Sequence, residues 1–123
     1  MHTVSSSFQG KWVSELCFSD VIIITPSSLK WKHIDDDEID MLDVDALCRK
    51  FSGNYEIQIN DSAITILFFN IHNDSSSKMS GFYQFVLDGT GRLRMHYQYE
   101  IDNQDKDPDN DSFWRECYIY NRA

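Results

Sequence analysis

Between Arg92 and Ile101 the chain alternates strictly: Leu93, Met95, Tyr97, Tyr99 and Ile101 interleave with Arg92, Arg94, His96, Gln98 and Glu100. A period of two is the geometry of an extended strand, whose successive side chains point to opposite faces. One face is dry and the other wet, which is the pattern of antiparallel sheet. The constraint recurs along the chain. Tyr55, Ile57 and Ile59 share a face with Glu56 and Gln58 opposite, and Phe113, Arg115, Cys117 and Ile119 alternate with Trp114, Glu116, Tyr118 and Tyr120. Asp88-Gly89-Thr90-Gly91 separates the 82–87 and 93–101 runs as a hairpin turn.

The remaining segments fit the same scheme. Residues 11–18 alternate loosely as a first strand after a polar tail at 1–7, which is expected to be mobile. Residues 21–25 are β-branched throughout and predict a strand buried on both faces. Pro26-Ser27-Ser28 breaks it, and 29–34 resumes as a short strand with Leu29 and Trp31 on one face. Residues 63–71 and the closing run 113–120 complete seven or eight strands, and 103–112 is a polar, acidic loop. A chain of 123 residues is one domain with room for a core, and 14% aromatic content sets it apart from disordered sequences. Short turns between antiparallel neighbours favour a mainly β up-and-down meander, closed or nearly closed into a barrel, because closure removes exposed edges.

The exception to the strand pattern lies at 34–53. Ile39, Leu42 and Ala46 fall at helical spacing, Leu47 adjoins Ala46, and Phe51 lies four residues beyond Leu47. This predicts one short helix over 43–51, preceded by a turn from Asp36. Asp43 is its N-cap, Asp45 sits in the favourable first turn, Arg49 and Lys50 in the last, and Gly53 closes it.

The same segment carries Asp35, Asp36, Asp37, Glu38, Asp40, Asp43 and Asp45 with no Lys or Arg among them. Such a run repels itself unless a cation or basic partner neutralises it. With a net charge of −9 and a pI near 4.6, the chain lacks the clustered cations that phosphate or an anionic membrane requires. A basic protein is the expected partner, with Trp31 as a nearby apolar anchor. The first residues show no signal-peptide pattern and no apolar run is long enough to span a membrane. Cys17, Cys48 and Cys117 form no CxxC and are expected to be reduced and buried in a cytoplasmic protein.

Catalytic and metal signatures are weak. Asp105, Asp107, Asp109 and Glu116 match positions of a calcium loop, but Asn110 replaces its glycine and the flanks are strands, so a solvated hairpin loop is expected. His2, His33, His72 and His96 share no ligand spacing, although His33 adjoins the acidic run. Cys48 precedes Arg49 and Lys50 but sits near a helix C-terminus, where the dipole opposes a thiolate. There is no G-x-S-x-G. Arg92, Arg94 and His96 form a small basic stripe expected to pair with acids on a neighbouring strand such as Glu100 or Glu116. The expectation is a non-enzymatic binding protein with no metal and no cofactor.

Phe8-Gln9-Gly10-Lys11-Trp12, followed by Val21 to Thr25 and Pro26-Ser27-Ser28-Leu29, resembles the opening of lipocalin-like proteins of the calycin group. That resemblance implies an up-and-down barrel, a Trp12 packed across one barrel end, and carriage of a small apolar ligand. In composition the chain also resembles small bacterial immunity proteins. That likeness implies an acidic inhibitor that neutralises a basic toxin, such as a nuclease, by occluding its active cleft, with the carboxylates of residues 35–45 standing in for phosphate. The two readings part on the interior, since a carrier needs a cavity of several hundred cubic ångströms.

Overall fold

The structure is a computed structural model and describes residues 3–50, 53–72, 78–102 and 113–123. Nine strands and one helix occupy these residues: β1 (Gly10–Ser14), β2 (Asp20–Ile24), β3 (Leu29–His33), β4 (Ile39–Asp40), α1 (Val44–Lys50), β5 (Asn54–Ile59), β6 (Ala63–His72), β7 (Lys78–Leu87), β8 (Leu93–Asp102) and β9 (Phe113–Arg122). They form one antiparallel sheet in the order β4-β3-β2-β1-β9-β8-β7-β6-β5, curled into a nearly closed half-barrel. Every sequential hairpin is a neighbour pair. The first and last strands also pair, with Trp12 opposite Arg122 and Ser14 opposite Tyr120. The unclosed seam therefore falls in mid-chain, between β4 and β5, and α1 crosses it, touching both edge strands.

The two ends of the half-barrel differ. Register places Trp12, Ile24, Leu29, Ile64, Phe85, Leu93 and Tyr120 toward one end, all of them buried. Each such side chain contributes roughly 1.5–3 kcal/mol by leaving water. Trp12 is fully buried at this closed end. Its indole Nε1 donates to Phe8 O at 2.8 Å, and the Arg122 guanidinium lies 4.1 Å from the ring centroid. Arg122 also donates to Gln9 O at 2.7 Å and Ser7 O at 2.9 Å. Gly10 makes this clamp possible: it has a φ of 132°, and a Cβ there would lie 2.7 Å from Arg122 Nη1.

Several expectations need correction. Within the described part of the polar tail, from Thr3, the chain is docked at Val4, which is buried and donates its N–H to Pro26 O at 2.9 Å; an apolar side chain with a core to enter does not stay in solvent. The first strand stops at Ser14 rather than Phe18, because Ser14 Oγ accepts from Leu16 N and Cys17 O from Asp20 N, which turns the chain. This leaves Leu16 90% and Phe18 88% exposed. The second strand is not buried on both faces: Ile22 and Ile24 are buried while Ile23 is 38% exposed, because the outer face of a single curled sheet meets solvent. The three cysteines are free, but Cys48 and Cys117 are exposed and Cys17 is half-buried, so none is a core thiol. Among the described residues no helix is long and apolar enough to cross a membrane.

The helix over 43–51 is present as Val44–Lys50, and Asp43 Oδ1 accepts from Ala46 N at 3.1 Å as its N-cap. The turn expected from Asp36 contains a short strand as well. In it Ile39 pairs Trp31 and Asp40 pairs Lys30.

Candidate functional site

Toward the open end the inward face of almost every strand changes character. On β8 the buried Leu93 and Met95 give way to Tyr97; on β9 Tyr120 gives way to Tyr118; on β7 Phe85 gives way to Tyr83. On β6 Ile64 and Ile66 precede Phe68 and Ile71, and on β3 Leu29 precedes Trp31 and His33. These open-end residues, with Tyr55 of β5 and Met79 of β7, surround a partly open cavity of about 330 Å³. Met41, Leu47 and Met95 belong to the core and line it too, while Asp36, Asp37 and Lys50 lie at its polar edge. A cavity of this size is within the range of small-molecule sites, and its lining is mostly apolar and aromatic.

The rings form one network. Tyr83 and Tyr97 stack at 4.6 Å with 14° between planes. Trp31 meets Tyr83 edge-on at 5.9 Å, and Phe68 lies 5.6 Å from Tyr83 and 6.2 Å from Tyr97. Burial, first, pushes the Tyr83 and Tyr97 hydroxyls above the ordinary tyrosine value of 10.0, and the neighbouring Tyr97 raises Tyr83 further. Tyr55 is pushed up to about 12, by burial and then by Cys48. Its hydroxyl oxygen is buried without a hydrogen-bond partner among the described residues.

Behind this wall sits Asp20, the first residue of β2 and 3% exposed. Its Oδ1 accepts from Trp31 Nε1 at 2.7 Å, and Tyr120 Oη donates to both carboxyl oxygens at 3.0 and 2.9 Å. His33 Nδ1 approaches Oδ2 at 3.2 Å, off hydrogen-bond alignment. Burial and then the Asp20 charge hold the Tyr120 hydroxyl well above 10.0. A second carboxyl group, Glu116, accepts from Tyr118 Oη. Burial, followed by this bond and the Glu116 charge, raises the Tyr118 hydroxyl as well. Two cavity rings, Trp31 and Tyr118, are thus anchored by carboxyl groups.

The seven acids of the 35–45 segment separate into different roles. Asp35, Asp36, Asp37 and Glu38 are exposed on the loop between β3 and β4, at the open end. The loop is launched by Ile34 in the left-handed region, φ 56°, and Ile34 N donates to Ser19 O at 3.1 Å. Asp40 instead turns to the backbone, its Oδ1 accepting from Leu29 N and Leu42 N at 3.0 Å each. Asp43 is the helix cap, and Asp45 sits in the first helical turn. Asp36 and Asp37 join Trp31 at the cavity. Cavity residues such as Tyr83, Tyr97 and Tyr118 were missed as site residues. The available signal was the switch from Leu93 and Met95 to Tyr97 along the dry face of β8, with Tyr83 and Tyr118 on the dry faces of its neighbours.

Other expectations fare differently. The basic stripe does pair with acids, but with Glu15 and Asp88: Arg92 reaches Glu15 at 3.0 Å and Arg94 reaches Asp88 at 3.2 Å. Asp88 Oδ1 also caps the turn through Thr90 N, Thr90 Oγ1 and Arg92 N. The Thr90 hydroxyl, foremost, holds its carboxyl well below the usual range. Most of the calcium-like stretch, Asp105, Asp107, Asp109 and Asp111, lies outside the described residues. Among the described residues no group of three or more His, Cys, Asp or Glu is placed to hold a metal ion. No protein-family model matches the chain, and neither a curated protein nor a solved structure does.

Proposed function

We propose that this chain is a binding protein whose half-barrel carries a small, largely apolar molecule. The observation that supports this is the cavity of about 330 Å³ at the open end, walled by Trp31, Phe68, Tyr83, Tyr97 and Tyr118. In a carrier the closed end supplies stability and the open end supplies space, which matches the division between the Trp12 core and the tyrosine wall. The test is titration with the neutral apolar dye N-phenyl-1-naphthylamine, followed by fluorescence and by amide chemical-shift mapping. One saturable site with shifts confined to β6–β9 and β3 near the open end is the expected result. Absence of saturable binding, or shifts centred on Trp12, would sink the proposal.

A second reading keeps the acidic inhibitor of a basic protein. It is favoured by the open end, where Leu16 and Phe18 stand almost fully exposed and the loop bearing Asp35, Asp36, Asp37 and Glu38 is tied to the same rim through Ile34 and Ser19. Apolar anchors ringed by charge are how charged interfaces combine affinity with steering. The expected partner is a basic toxin, with a nuclease cleft the natural fit. Changing Asp35, Asp36, Asp37 and Glu38 to Asn or Gln should slow association and flatten its salt dependence, with an unchanged on-rate counting against this reading.

A further inference from the structure

We infer that the cavity selects an organic cation: a ligand with a flat apolar body bearing a protonated or quaternary amine. This deepens the ligand-binding reading and rests on it. The faces of aromatic rings carry negative potential and attract cations, most strongly where water is excluded. Six of the lining residues are aromatic: Trp31, Tyr55, Phe68, Tyr83, Tyr97 and Tyr118. Two of these rings are further enriched. Trp31 Nε1 donates to Asp20 at 2.7 Å and Tyr118 Oη donates to Glu116, and a ring whose N–H or O–H is bonded to a carboxyl group gains electron density on its face. Asp20 and Glu116 are on different strands, so the two enrichments are independent and converge on one cavity.

Acids outnumber bases among the charged groups that line the cavity. The 34–38 loop presents Asp36 and Asp37 to it, β3 presents His33 and α1 presents Lys50. Lys50 already has an interaction of its own, and His33 lies against Asp20. An anion entering the open end would meet four exposed carboxylates at 35–38 within a chain of net charge −9. A cation would meet them favourably, then exchange water for ring faces, which lowers the cost of its desolvation. The stacked pair Tyr83 and Tyr97, 4.6 Å apart, offers a flat wall for a planar body.

The experiment uses three probes with one bicyclic body and three charges: (2-naphthylmethyl)trimethylammonium, 2-naphthylmethanol and 2-naphthylacetate. Affinities are measured by calorimetry on the full chain at low and moderate salt. The cation is expected to bind about tenfold more tightly than the alcohol, with the anion weakest. The double variant Asp36→Asn, Asp37→Asn alters only exposed side chains. It should weaken the cation several-fold at low salt and leave the alcohol unchanged. Equal binding of cation and alcohol, or preference for the naphthylacetate, overturns the inference while leaving the carrier reading intact. Binding of none of the three refutes both.

Discussion

Gly81 should be among the least replaceable residues of the sheet. It lies in β7 opposite Phe68 of β6 and Tyr99 of β8. A Cβ at this position would sit 2.7 Å from the Cα of Tyr99 and 2.8 Å from the carbonyl carbon of Gln98, with the Gln98 oxygen closer still. All three are backbone atoms, so no rotamer change relieves the clash. The β7–β8 ladder runs without a register break from Lys78 opposite Asp102 to Leu87 opposite Leu93, so the strands would have to part in the middle of a continuous pairing. Overpacking of a core costs ~1–3 kcal/mol and sometimes more, against which alanine returns only ~0.5–1 kcal/mol of strand preference. Gly81→Ala is therefore expected to cost about 2 kcal/mol net, which lowers Tm by about 8 °C in a chain of this length. The control is Gly89→Ala in the β7–β8 turn, where a Cβ would meet nothing within 4 Å, and stability should hold or rise slightly. Thermal and urea melts followed by circular dichroism measure both. A Gly81→Ala protein melting within about 2 °C of the parent would refute the close-approach argument.

Asp20→Ala should cost ~3–5 kcal/mol by urea denaturation, since it strands Tyr120 Oη and Trp31 Nε1 without their acceptor; Asp20→Asn, which keeps an acceptor in place, should cost about 1–2 kcal/mol, and equal losses would contradict the hydrogen-bond account. Ile34→Asn should stabilise the protein by ~1 kcal/mol, because Ile34 is a β-branched residue at φ 56° and is 43% exposed, and a loss of stability would show that its side chain matters more than its backbone. Stability should also fall in alkali. The Tyr55 pKa is raised from 10.0 to about 12, so its stabilising contribution is whole below pH 10 and is lost as pH climbs toward 12. Tyr83, Tyr97, Tyr118 and Tyr120 shift in the same direction, and a urea midpoint that stays flat from pH 9 to 12 would refute the burial of these hydroxyls.

The alternation at 92–101 and the hairpin at Asp88 were legible because period and turn chemistry are local. So was the helix, since its N-cap and last-turn cations lie within one short segment. The pairing of β1 with β9 was not, because nothing in a strand's own residues states its partner a hundred positions away. Nor was the burial of Asp20, which depends on Trp31, His33 and Tyr120 arriving from two other strands. The cavity escaped for a related reason. Tyr97 and Leu93 read alike as dry-face residues, and only the curl of the sheet shows that one meets a packed neighbour and the other meets space. That Trp31 lies close to the acidic loop was legible, because the two are neighbours in sequence. Asp40 was grouped with the loop because charge is visible in a sequence and the backbone amides it binds are not.

The seam between β4 and β5 has a consequence for the order in which the molecule assembles. β1–β4 and β5–β9 are each runs of local hairpins, joined through the sheet, among the described residues, by the zipper of Trp12, Val13 and Ser14 against Arg122, Asn121 and Tyr120. Local hairpins form in microseconds, whereas closing a loop that spans most of the chain carries the larger entropic barrier. On the ribosome, where synthesis runs from the N-terminus, β1 emerges early and remains an open edge until β9 has been synthesised and released from the exit tunnel. The Trp12 plug and the β1–β9 pairing are therefore completed only once β9 has emerged. During that interval the nascent chain exposes an unpaired strand that it must keep from pairing with anything else.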